Sequence, residues 1–124
     1  MDMRWMNGLA GCAMAMLMSL PASAQEPARL NCAIGPAYRN FGGVKWLVYA
    51  CDDGGSVVLV APEGSAAAPF HFLLQDQAGG YVIYGEGTGS RTVNDAAKAE
   101  IGQLSQSQIE ALALEAKRAD PGAR

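Results

Sequence analysis

From Val44 onward, apolar and polar positions alternate in short runs separated by glycine, proline and aspartate. Val44 to Cys51 (VKWLVYAC) and Ser56 to Ala61 (SVVLVA) are β-branched and aromatic, the composition that fits a pleated, half-buried surface. They flank Asp52-Asp53-Gly54-Gly55, and Asp53-Gly54 is the residue pair that a tight type I′ hairpin turn requires. Pro62 cannot donate to a ladder and ends the second strand. After the loop Pro62 to Ala68, the runs Phe70 to Gln75 and Tyr81 to Tyr84 predict a second hairpin across Asp76 to Gly80.

Strand periodicity assigns the faces. With the turn at Asp53-Gly54, Ala50 opposes Val57 and Val48 opposes Leu59. One face then gathers Val44, Trp46, Val48, Val57, Leu59, Phe70, Phe72, Leu74 and Ile83, the expected core. The other carries Lys45, Leu47, Tyr49, Val58, Val60, His71, Leu73, Gln75, Val82 and Tyr84, a mixed face that water can reach.

Beyond Ser90 the period changes. Thr92 to about Leu104 places Ala97, Ile101 and Leu104 on one side of a helix. Ser105 and Gln108 have capping-box form, and Leu104 and Ile109 stand where a hydrophobic staple belongs. A second helix follows with Ile109, Leu112, Ala113 and Ala116 on one face, stopped by Asp120-Pro121-Gly122. Leu114 falls off that face. The predicted class is α+β: a four-stranded antiparallel sheet of two hairpins followed by a C-terminal helix pair packed on the Trp46/Phe72 face.

The start of the chain reads differently. Arg4 is followed by an uncharged, largely apolar run from Leu9 to Leu20, then Pro21 and the small residues Ala22-Ser23-Ala24. That is the form of a signal peptide, with cleavage expected between Ala24 and Gln25 and a periplasmic or secreted product. The run of about 12 residues is short of the ~20 that span a bilayer, so no transmembrane anchor is expected. Leu9-Ala10-Gly11-Cys12 also matches a lipoprotein box, the lesser alternative, because the apolar run follows Cys12 instead of preceding it. The expected organisation is a leader over 1–24, an irregular arm over 25–43 with a short strand around Leu30 to Ile34, one domain over 44–119, and a flexible tail over 120–124.

Composition then narrows the chemistry. The leader holds all 6 methionines, one acid and one base, so its loss leaves the net charge at -3. No basic block remains to attract nucleic acid or an anionic membrane, and neither is an expected partner. Two of the three cysteines, Cys32 and Cys51, stay behind and predict a disulfide that tethers the arm. A redox or metal pair would favour C-x-x-C spacing, and a single His71 supports no zinc site.

Each candidate site has a plainer alternative. Gly85-Glu86-Gly87-Thr88-Gly89-Ser90 lies between a strand and a helix like a phosphate loop, but it lacks the G-x-G-x-x-G spacing and any Gly-Lys-Ser/Thr ending. A glycine-rich connection accounts for it. His71 would need a nucleophile and an orienting acid, for which Ser56, Ser65 and Asp76 are only nominal choices, so a small hydrolase is the weakest reading. Asp52 and Asp53 suit a turn better than an acid/base pair, and nothing places Glu63 beside Glu86. Tyr38, Tyr49, Tyr81, Tyr84 and Trp46 could make a ligand platform; Tyr49, His71 and Tyr84 on the mixed face are the expected partner surface.

The stretch PFHFLLQDQAGGYVIYGEGTGS with the alanine-rich helical tail after it resembles small exported proteins of Gram-negative bacteria that carry no assigned function. The resemblance spans about residues 44 to 118 and implies a periplasmic address and no activity. The expected function is a non-enzymatic interaction or accessory module of the cell envelope, without a cofactor, that meets a protein partner through the mixed sheet face or through the loops Pro62–Ala68 and Gly85–Arg91. A periplasmic small-molecule binder using the Tyr49/Tyr84 side is the alternative.

Overall fold

The computed structural model describes residues 29–123. The expected leader, its cleavage site at Ala24/Gln25 and Cys12 lie outside them. Five strands, β1 (Ile34–Phe41), β2 (Val44–Ala50), β3 (Val57–Val60), β4 (Phe70–Gln77) and β5 (Gly80–Gly87), form one antiparallel meander in sequence order. Two helices follow, α1 (Arg91–Ile101) and α2 (Gln106–Ala119), and Pro121–Ala123 makes a 3-10 turn.

The sheet has five strands instead of the expected four. The second half of the segment expected as an irregular arm, Ile34–Phe41, is β1, which pairs with β2 from Phe41↔Val44 through Tyr38↔Leu47. Gly35, Pro36, Arg39 and Asn40 interrupt its apolar period, and a bulge between Ile34 and Ala37 shifts its register. The turn carried the missed signal. Gly42 and Gly43 both have positive φ, 64° and 80°, as a two-residue hairpin turn demands and as glycine alone adopts without strain.

The central hairpin keeps the expected register, Ala50↔Val57 and Val48↔Leu59. Its connection is longer than a two-residue turn: Cys51 N–H donates to Ser56 O across the loop. Asp53 organises that loop by accepting from the Gly55 and Ser56 amides and, at 2.5 Å, from the Ser56 hydroxyl. The last hairpin takes the two-residue form of the turn, as Gln77↔Gly80 leaves only Ala78 and Gly79 between β4 and β5. Both turns are symmetric about the expected centres and leave every side chain on its assigned face.

Burial follows the predicted faces. Trp46, Val48, Val57, Leu59, Phe72 and Leu74 from the sheet meet Ala97, Ile101, Ile109, Leu112, Ala113 and Ala116 from the helices. Each large apolar side chain so buried stabilises the fold by about 1.5–3 kcal/mol. Trp46 stacks obliquely on Phe72 with centroids 5.3 Å apart, and its indole N–H donates to Phe41 O.

Helix ends follow local chemistry. Ser90 caps α1 by accepting from the Val93 amide, and Ser105 with Gln108 forms the expected capping box of α2. α1 ends at Ile101, so Leu104 belongs to the connection and packs on the core from there. α2 lies over β1 and β2 and α1 touches β1. Arg39 grips Glu115 with two hydrogen bonds of 3.2 and 2.7 Å, and Gly35 N–H donates to the Asp120 carboxylate. The Cys32 and Cys51 sulfurs are bonded at 2.05 Å, which ties the residues before β1 to the end of β2.

Candidate functional site

Alternation along five strands sends half of the sheet residues away from the helices. Register arranges them in two cross-strand rows. One runs Tyr38, Leu47, Val60, His71 and Glu86 across all five strands. The other runs Tyr49, Val58, Leu73 and Tyr84 across β2 to β5. Leu47, Tyr49, Val58, Val60 and Leu73 are half-buried by their neighbours, while Tyr38 (57% exposed), Tyr84 (49%) and Val82 (37%) stand out to solvent. A wet sheet face normally alternates to polar residues, so this one is unusually apolar.

Its ionisable groups sit at the margins. Lys45 Nζ lies 5.3 Å from the centre of the Tyr38 ring at one side, a distance that favours cation–π attraction. His71 Nε2 and Glu86 Oε1 are 4.0 Å apart at the other. Tyr49, His71 and Tyr84 thus share the open face, but not one point on it. Tyr49 and Tyr84 are separated by three strand spacings, roughly 14 Å at ~4.8 Å each. His71 is a diagonal neighbour of Tyr84 and faces Glu86 directly.

The other candidate residues resolve into packing and turns. Trp46 is fully buried, and Tyr81 points to the helix side, where its hydroxyl donates to Gly55 O. Burial, with the Asp76, Glu110 and Asp53 carboxylates around it, raises the Tyr81 phenol above its ordinary 10.0. Burial also acts to raise Asp53, but the hydrogen bonds it accepts from Ser56 and Gly55 outweigh that and hold it below its ordinary 3.8. Ser56 gives its hydroxyl proton to Asp53 and accepts from the Asp76 amide, while the Ser65 hydroxyl accepts from the Ala67 amide. Neither serine is bonded to His71.

The glycine run is structural too. Gly85 and Gly87 belong to β5 and lie beneath the Phe72 and Phe70 rings, where a Cβ on Gly85 would stand 3.0–3.1 Å from ring carbons. A Cβ on Gly89 would overlap the Ala67 carbonyl. Thr88 and Gly89 donate to Pro69 O and Ser90 to Ala66 O, so the loop after β3 and the loop before α1 form one stapled unit. Among the described residues no three His, Cys, Asp or Glu side chains group to hold a metal, and no helix is long and apolar enough to cross a membrane.

Clefts among the described residues lie elsewhere. One of about 560 Å³ opens beside Ala61 to Pro69. Another of about 450 Å³ lies between Phe70, Phe72 and the first turns of α1, and a third of about 200 Å³ between β5 and Ile101 to Ile109. None is lined by Tyr49, His71 or Tyr84. Sequence reading overlooked Asn94, a polar residue on the Ala97/Ile101 stripe of α1; its spacing of three and seven residues from them was the available signal. No family model, no curated protein and no solved structure matches this chain.

Proposed function

We propose that this chain is a non-enzymatic protein-interaction module that works in the periplasm or outside the cell and docks a folded partner through its open sheet face. The observation that supports this reading is the two cross-strand rows, which leave Leu47, Val58, Val60, Leu73 and three tyrosines uncovered by α1 and α2. Apolar and tyrosine side chains at the centre with charges at the rim is the anatomy of a protein interface. Lys45 and Glu86 supply that rim, with the polar imidazole of His71 beside Glu86. One lysine against one glutamate offers no field for nucleic acid or an anionic bilayer. The rows lie on a broad pleated face, which suits a protein better than a small molecule.

The address follows from the leader pattern and from the disulfide, since such bonds persist in oxidising compartments. Fractionation of the native protein tests it: the expected product begins at Gln25 and is found outside the cytoplasm. A cytoplasmic chain retaining Met1 contradicts it.

The docking surface is tested by affinity capture from the native envelope extract, with the wild type beside a Val58→Lys/Leu73→Lys variant whose circular dichroism is unchanged. The expected result is a stoichiometric partner held by the wild type and lost from the variant. Equal recovery by both, or recovery by neither, overturns the assignment of this face.

A further inference from the structure

The helix side carries a second surface, independent of the open face. The helices sit mainly over β1 to β3, and beside the first turns of α1 the inner side of β4 and β5 is left as the cleft of about 450 Å³. Its floor is aromatic, with Phe70 and Phe72 rings 5.0 Å apart. Arg91, Asp95 and Lys98 stand along one wall at i, i+4 and i+7 of α1, so they share one helix face. That spacing invites ion pairing, yet among the described residues none of the three is in a salt bridge.

Asn94 lines the same cleft. It is 4% exposed, its amide Nδ2 donates to Ala67 O, and its Oδ1 is buried with no partner among the described residues. A buried acceptor left unmatched costs about 1–3 kcal/mol.

We propose that this cleft binds a small zwitterion with an apolar side group, an apolar α-amino acid being the simplest example. Arg91 and Lys98 hold the carboxylate, assisted by the positive end of α1. Asp95, between them in sequence, takes the ammonium group. The apolar side group lies on Phe70. A simple anion would be repelled by Asp95 and a simple cation by Arg91 and Lys98, so only a ligand carrying both charges uses the whole wall. A volume of about 450 Å³ is of the size that such ligands occupy.

Calorimetric titration of the full chain with L-phenylalanine and L-leucine, and with phenylacetate and 2-phenylethylamine as probes lacking one charge, tests the assignment. The expected result is saturable one-to-one binding of at least one amino acid. Loss of either charge from the ligand, or Arg91→Ala or Asp95→Asn in the protein, weakens it by about tenfold or more. Both replaced residues are exposed, and a melting curve verifies that each variant is folded. Absence of saturable binding overturns the proposal. So does phenylacetate binding as tightly as phenylalanine, or Arg91→Ala binding as tightly as the wild type. The Val58→Lys/Leu73→Lys variant retains amino-acid binding, so failure here and failure of the sheet-face reading are separable.

Discussion

Reduction of the Cys32–Cys51 bond tests how the start of the described chain is held. The bond closes a loop across a sequence separation of 19. In the chain-entropy treatment, a loop of that length destabilises the unfolded state by about 3 kcal/mol. The links left after reduction are weaker. Asp52 N–H donates to Asn31 O at 2.8 Å and Asn31 N–H to the Asp52 carboxylate at 3.1 Å. Each such bond is worth about 0.5–1.5 kcal/mol net, and that at Asp52 Oδ1 is exposed. Strand β1 itself stays attached through its ladder with β2 and through the Arg39–Glu115 pair. The reduced protein therefore remains folded at room temperature but melts lower. For a domain of this size, 1 kcal/mol moves the midpoint by about 4–8 °C, so the expected fall is roughly 12–24 °C. Differential scanning calorimetry of the oxidised and phosphine-reduced chain measures it directly, since reduction keeps both sulfur atoms and adds no cavity at Cys51. Amide exchange should quicken around residues 30–33 before it does in β2. A midpoint change below about 4 °C would refute the loop-entropy argument.

Three further outcomes are expected. Phe72→Ala removes the ring between Trp46 and Phe70 and should cost about 3–5 kcal/mol in chemical denaturation, with loss of the near-ultraviolet dichroism of Trp46; a cost under about 1 kcal/mol would contradict the packing described. Gly89→Ala forces a methyl into the Ala67 carbonyl and should destabilise by about 2 kcal/mol, whereas Thr88→Ala in the same loop should stay within about 0.5 kcal/mol. Asp53→Ala should cost about 1 kcal/mol near neutral pH. Because the folded Asp53 carboxyl lies below its ordinary 3.8, its contribution is present above that pH and vanishes as the pH falls through the folded value. Wild type and variant should therefore converge in acid, as pH-dependent melting can measure.

Legibility in the sequence differed by element. The β2–β3 register and the core face were readable because period-2 alternation at Trp46, Val48, Val57 and Leu59 admits only one inward set. The α2 boundaries were readable from Ser105, Gln108 and the Ile109–Ala116 stripe. β1 was obscured because its residues answer to other demands. Arg39 is spent on Glu115 across the sheet edge, and the Gly35 amide on Asp120, 85 residues away. The Gly85–Ser90 run looked like a flexible connection because no local pattern reveals that phenyl rings and carbonyls from β4 and its preceding loop occupy the space where side chains would go. Asn94 looked like an ordinary helix residue, since its partner carbonyl lies 27 residues earlier.

By itself, the sequence determined the α+β order, the inward face of the β2–β3 and β4–β5 hairpins, the cap of α2, and the cysteine pair, all of which rest on spacing along one chain. Tertiary structure decided the fifth strand, the stapling of the loop after β3 to the loop before α1, and the cleft beneath Arg91 and Lys98. Those features depend on groups far apart in the chain meeting in space, and residue order does not encode a meeting until strand pairing and helix packing bring it about.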